Sequence, residues 1–251
     1  MNNKFPNIIA EIQNSPDSGF LLIDKPAGEP SFKTVSQLRQ ITGQKKIGFA
    51  GTLDPAASGL LIIGINKATK LLDYWHQFPK EYEAEITLGK VSTTYDGEGV
   101  ISEVSSKEFR PEGDRPVAEE ERDITAALLK FTGTVGQVPP MYSAKSIGGK
   151  RLYELARAGK EVERQPATVT IHSIDILEYD YPLLKLRVKC STGTYIRSLA
   201  HDLGQALGAG AYLSALRRTA IGPCQVSQAV SVRDITRDNW PKQVIDVTNL
   251  S

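Results

Sequence analysis

Lys45-Lys46-Ile47-Gly48-Phe49-Ala50-Gly51-Thr52-Leu53-Asp54-Pro55-Ala56-Ala57-Ser58-Gly59 sets one carboxylate, Asp54, in a glycine-rich polar turn between two apolar runs. No other Asp or Glu lies between Ser31 and Asn66. An acid carried by a loop between firm elements, with no like charge beside it, suits a nucleophile or an ion-pair partner. The dipeptide alone has a plainer use, since Asp at the first corner of a turn and Pro at the second are default turn chemistry. After the turn, Leu60–Ile65 reads as a buried strand. Before it, Phe20–Ile23 reads as a short strand that ends in the Asp24-Lys25-Pro26-Ala27-Gly28 turn. Phe32, Val35, Leu38 and Ile41 recur at helical spacing, with Ser31 as N-cap and Gly43 just past the end.

Further along, Ala68, Leu71, Leu72 and Trp75 mark a short amphipathic helix. Tyr82, Ala84, Ile86 and Leu88 alternate with Glu83, Glu85 and Thr87, the period of a half-buried strand. Ser102 to Glu121 reads as an acidic loop leading into a helix with the stripe Ile124, Leu128, Phe131. Leu184, Leu186, Val188 and Cys190 alternate with Lys185, Arg187 and Lys189, and a helix over about 195–207 follows. Strands and helices mix without strict βαβ alternation, which favours an α+β fold over a doubly wound sheet.

Tyr195 and Arg197 stand two apart after a Gly-Thr turn, and in an extended segment such residues project to one side. An aromatic face and a guanidinium can then line one cleft. Val138–Arg164 holds six Lys/Arg and three Glu and reads as an exposed helical hairpin, with Gly148-Gly149 as its point of freedom.

Gly48-Phe49-Ala50-Gly51-Thr52-Leu53-Asp54-Pro55-Ala56-Ala57-Ser58-Gly59 resembles the active-site motif of the TruB-type tRNA pseudouridine synthases. Four more segments agree in family order: Leu22 to Gly28; Lys80-Glu81-Tyr82; Val138 to Ala144 with Gly149 to Glu154; and Gly193 to Leu199. The likeness runs from about Gly19 to about Gly222. It implies an α+β pseudouridine synthase catalytic fold, a mixed and mainly antiparallel sheet flanked by helices, with a thumb-like insertion at about 138–164. The implied division is an N-terminal arm over 1–18, a catalytic domain over 19–230 and a short C-terminal extension over 231–251, with no separate RNA-binding domain.

The same resemblance implies the activity: isomerisation of uridine 55 to pseudouridine in the T-loop of tRNA, with base flipping and without cofactor or metal. Asp54 takes the role of nucleophile, Arg197 that of its ion-pair partner, and Tyr82 that of the aromatic stacked on the uracil. Tyr195, Leu216, Phe49, Lys25, Lys145, Lys150 and Arg151 are the implied substrate-binding residues. Phe49 stands where the family usually has histidine, and Ser146 where a lysine is common. A non-catalytic RNA-binding or tRNA-folding protein on the same scaffold is the rival reading, with Phe49 its main support. A guide-dependent synthase like dyskerin would need a C-terminal docking domain. A retaining glycosidase would need a second carboxylate near Asp54.

The 251 residues carry a net charge of only +1, but the charge is segregated. Ser31–Leu53 and Tyr181–Ala200 each carry four Lys/Arg and no acid, whereas Asp96–Asp123 carries ten acids against four Lys/Arg. Such segregation permits a basic face that holds phosphates, or simply solvated runs. Cys190 and Cys224 have no zinc-like spacing and read as buried thiols. His76, His172 and His201 are scattered and read as structural or exposed. The longest apolar run is too short to cross a bilayer, and Met1 to Asn7 holds no export signal, so a cytoplasmic monomer is the expectation.

Overall fold

The computed structural model describes residues 4–104, 116–143, 145–147, 149–160 and 162–245. In chain order it contains α1 (Lys4–Gln13), β1 (Gly19–Lys25), α2 (Ser31–Thr42), β2 (Ile47–Ala50), β3 (Ser58–Ile65), a 3-10 helix (Asn66–Gln77), β4 (Lys80–Leu88), β5 (Lys90–Ser92) and β6 (Ile101–Glu103). There follow α3 (Val117–Leu129), β7 (Gly133–Gln137), β8 (Ser146–Ile147), β9 (Lys150–Arg151), α4 (Leu152–Arg157), β10 (Ala167–Asp180), β11 (Leu183–Cys190), α5 (Ile196–Ala206), β12 (Ala211–Ile221), β13 (Cys224–Gln225) and three short 3-10 turns. Two compact units share these elements. One takes the chain up to Glu81 and from Arg217 onward, and the other is Tyr82–Leu216.

In the first unit β3 is the central strand. β1 pairs antiparallel along its whole length, from Gly19 opposite Ile65 to Lys25 opposite Gly59. The other edge is divided: β2 takes Ile62–Ile65 antiparallel, and β12 takes Ser58 and Gly59 parallel, through Arg217 and Arg218. Alternate residues of β1 and β3 enter two different cores. Phe20, Leu22, Leu60 and Ile62 meet Ile12 of α1 and Ala68, Leu71 and Trp75 of the 3-10 helix. Leu21, Ile23, Leu61, Ile63 and Ile65 meet Val35 and Leu38 of α2 and, from the C-terminal turns, Val232, Ile235 and Trp240. Burial on both faces explains why these strands read as unbroken apolar runs.

The sequence expectations hold for β1, β3, β4, β11 and α2, and Gly43 caps α2 in the left-handed conformation at φ 72. Two details are corrected. Pro30, not Ser31, occupies the N-cap of α2, because the Ser31 hydroxyl is engaged by Leu53. The helix over Ala68–Trp75 is 3-10, with Ala68 and Leu71 three apart as that winding requires. The N-terminal arm holds α1, whose Ile8, Ile9 and Ile12 join the first core.

In the second unit the strand order is β12 (through Leu216), β4, β11, β10, β7, and β10 pairs antiparallel with both β11 and β7. Leu184, Leu186, Val188 and Cys190 are buried, as their alternation predicts. The acidic loop lies mostly outside the described residues; α3 after it buries Ile124 and Leu128, while Phe131 falls beyond the helix. Among the described residues of 138–164, β8 pairs antiparallel with β9 and α4 follows, in place of a helical hairpin. Gly148 lies outside the described residues.

Candidate active site

Asp54 belongs to the first unit, on the loop between β2 and β3. Its carbonyl accepts the Ala57 N–H at 3.1 Å, so Asp54-Pro55-Ala56-Ala57 is the turn that the dipeptide alone predicts. The carboxylate-bearing residue is half-buried. Its neighbours are fixed from α2 and β1. Ser31 Oγ donates to the Leu53 carbonyl and accepts the Leu53 N–H, each at 3.0 Å in a buried setting. Lys25 is fully buried, and its ammonium donates to the carbonyls of Pro26 (2.7 Å), Glu29 (2.6 Å) and Pro55 (3.3 Å). The Gly28 N–H also reaches the Pro55 carbonyl at 2.8 Å. A buried ammonium is costly unless its donors are used, so Lys25 ties the β1 turn to the Asp54 turn. Phe49, opposite Ile63 on β2, is half-buried against the second core.

Tyr82, Tyr195, Arg197 and Leu216 belong to the second unit. Tyr82 is buried on β4, and Leu216 is half-buried on β12. The extended geometry inferred for Tyr195 and Arg197 is corrected: β11 ends at Cys190, Tyr195 is the N-cap of α5, and Arg197 lies in its first turn. The reason is Gln137, buried at the end of β7. Its amide accepts the Tyr195 N–H at 2.8 Å and donates to the Tyr195 carbonyl at 3.0 Å, fixing the peptide where the helix begins. Ser198 Oγ donates to the Val138 carbonyl at 2.8 Å and ties α5 to the same segment.

The Arg197 guanidinium is buried and lies 3.3 Å from Asp96 Oδ2, itself buried. Nη1 donates to the Thr94 carbonyl at 3.3 Å and Nη2 to the Tyr142 carbonyl at 3.0 Å. Asp96 Oδ1 accepts the Thr94 hydroxyl and the Glu98 N–H. Desolvation offsets most of what such a pair gains in Coulomb energy, so its use is to orient the guanidinium. Asp96 is a residue that sequence reasoning missed, because it opens an acidic run and nothing in its spacing points to Arg197. Tyr95 before it has a left-handed backbone (φ 66) and stacks on His201, centroids 3.9 Å apart and rings within 12°. A cleft of about 100 Å³ lined by Thr93, Thr94, Tyr95, Pro140, Met141 and Arg164 opens beside this turn.

Lys145 is half-buried and Lys150 exposed on the β8–β9 hairpin; the Arg151 side chain lies outside the described residues. Of the β11 cations, Lys185 pairs with Glu178 at 2.6 Å and Arg187 with Glu83 at 3.4 Å, so that face is not a bare basic strip. Both cysteines are buried free thiols. Among the described residues, no group of three or more His, Cys, Asp or Glu is placed to hold a metal ion, and no helix is long and apolar enough to cross a membrane.

Comparison with known proteins bears on the same motifs. Residues 39–196 match the model of the TruB family pseudouridylate synthase N-terminal domain, and residues 197–248 match that of the tRNA pseudouridylate synthase B C-terminal domain. The tRNA pseudouridine synthase B of Clostridium acetobutylicum is 44% identical over 229 residues, covering 91% of this chain and 76% of that protein. That of Chlamydia felis is 45% identical over 221 residues, covering 88% and 89%. Among solved structures, a Cbf5-Nop10-Gar1 complex matches with TM-score 0.66 and 30% identity, over 89% of this chain and 55% of the matched one. The archaeal box H/ACA sRNP Nop10-Cbf5 complex matches with TM-score 0.64 and 28% identity, over 98% and 63%. The chain thus spans less than two thirds of either matched chain in those assemblies. With two family models meeting at residue 196 and high identity across nine-tenths of its length, the chain belongs to the TruB family of pseudouridylate synthases.

Proposed function

We propose that this chain isomerises uridine 55 in the T-loop of tRNA to pseudouridine, with Asp54 as the nucleophile. The reaction breaks the N1–C1′ bond of the nucleoside, turns the uracil over and joins C5 to C1′; the proton released from C5 is balanced by one taken up at N1. It needs an ionised carboxylate at the sugar or base. The observation that carries the reading is the Asp54 turn: one acid, held at the residues on either side by buried bonds from Ser31 and Lys25, in a chain of this family. The curated relatives named tRNA pseudouridine synthase B supply the substrate class.

The remaining residues take roles consistent with this chemistry. Arg197, oriented by Asp96, is proposed to be the cation that the reaction uses to favour an ionised carboxylate, as an adjacent cation lowers a carboxyl pKa. Tyr82 is proposed to stack on the extruded uracil, where base–aromatic stacking is worth about 1–3 kcal/mol. That offsets part of the few kcal/mol or so of unstacking. Tyr195 and Leu216 would wall the pocket. Phe49 would fill the place of the usual histidine as an apolar wedge. Lys145, Lys150 and Arg151 would meet phosphates from the thumb-like segment, and recognition would rest on the folded shape of the RNA, by a cytoplasmic monomer. Purified protein incubated with an unmodified tRNA transcript is expected to form one pseudouridine, mapped by carbodiimide labelling to the T-loop. A transcript with cytidine at that position should stay unlabelled. Pseudouridine at another position, or none in either transcript, would overturn the assignment.

A further inference from the structure

We propose that Arg218 is a positioning residue for the reaction, clamping both feet of the loop that presents Asp54; this rests on the nucleophile reading above. β2 and β12 share one edge of β3, but they do not meet along it. The β2 ladder stops at Ala50 opposite Ile62, and the β12 pairing covers only Ser58 and Gly59. Between them the edge of β3 has a gap at Leu60 and Leu61, and it is over this gap that the chain leaves β2 for the Asp54 turn. A gap in a ladder leaves carbonyls without strand partners, and buried carbonyls require donors.

The Arg218 side chain fills that gap. It is among the largest fully buried side chains of the molecule. Nε donates to the Leu60 carbonyl at 2.8 Å and Nη2 to the Gly51 carbonyl at 2.9 Å. Gly51 is the first residue after β2 and Leu60 lies just inside β3, so one rigid fork bridges the departure and the return of the loop. The two glycines that bound the loop are shaped by the same residue. A Cβ on Gly51 (φ +71) would stand 3.3 Å from Arg218 Nη1, and one on Gly59 (φ +105) only 2.3 Å from the Arg218 carbonyl oxygen. Ser31 and Lys25 hold the middle of the loop at Leu53 and Pro55; Arg218 holds its ends. Lysine cannot substitute in kind, because a single ammonium on a flexible stem lacks the planar fork that spans two fixed acceptors.

The test compares Arg218→Lys and Arg218→Met with the wild-type chain, measuring single-turnover rate and tRNA Kd at a temperature where urea melts show each variant folded. A displaced nucleophile costs rate rather than binding: the rate constant is expected to fall by about 100-fold in both variants, with Kd unchanged. Hydrogen exchange should quicken in the peptide covering 51–58 and stay slow in β1 and the distal half of β3, a pattern that general destabilisation does not give. Full rate in Arg218→Lys, uniform loosening of the whole unit, or failure of both variants to fold would each overturn the proposal. Asp54→Asn run in parallel keeps the two ideas apart. Normal turnover in that variant would sink the nucleophile reading, whereas an inactive Asp54→Asn beside a fully active Arg218→Lys would sink the clamp alone.

Discussion

His201 lies one helical turn beyond Arg197 on α5, and the two side chains grip one turn of chain: Arg197 at Thr94 and Asp96, His201 by stacking on Tyr95. Burial, and then the charge of Arg164, hold the His201 imidazole below the ordinary histidine value of 6.5, and its buried Nδ1 has no hydrogen-bond partner among the described residues. The unfolded chain therefore takes up this proton more readily than the folded one. Stability from the neutral imidazole is complete above the unfolded value and drains away as the pH falls below it. Between about pH 7 and about pH 5 the urea midpoint of the wild type should decline more steeply than that of His201→Gln. Equal slopes would show that His201 does not titrate in a buried setting. Cys224, whose thiol burial pushes up to about 11, illustrates the same physics without a charge partner. A lone histidine in the sequence gives no hint of this stack, because Tyr95 is far from it along the chain and sits in a turn where its backbone takes a φ of 66.

At the scale of elements, the loop around Asp54 depends on α2 as much as on its own strands. Replacing Ser31 with Ala leaves both the N–H and the carbonyl of Leu53 buried without their partner, which costs about 1–3 kcal/mol. Ser31→Ala should lower the urea midpoint accordingly and slow turnover while leaving tRNA Kd in place; an unchanged melt would mean that water replaces the hydroxyl. The sequence names Ser31 for a different task, the N-cap of α2. Its helix is right and its bond is wrong, since a cap needs only a local donor whereas the observed partner lies 22 residues away. α2 and β3 were legible because burial imposes a period. α1 carries a signal too, Ile8, Ile9 and Ile12 at helical spacing, within the stretch that the resemblance gives only as an arm. The 3-10 winding of Asn66–Gln77 had no separate signal, since Ala68 and Leu71 suit an α-helix equally well.

Across the whole molecule, the motif string located the Asp54 turn and the Tyr195–Arg197 segment, but not the groups that hold them. Asp96 orients Arg197, whose bond to Thr94 spans 103 residues, and Arg218 reaches Gly51 across 167. Pairings of that separation leave no trace in local periodicity; only the fold creates them. Charge read as runs misled in the same way, for Lys185 and Arg187 alternate cleanly along β11 yet meet Glu178 and Glu83. The central proposal is that one ionised carboxylate, on a turn held at Leu53 and Pro55 by Ser31 and Lys25, performs the chemistry. The most direct measurement is pseudouridine formation by Asp54→Asn on a T-loop transcript, beside its tRNA Kd and its urea melt. Wild-type folding and binding with no product is the expected result; product at the wild-type rate from the folded Asn variant would refute the nucleophile role of Asp54.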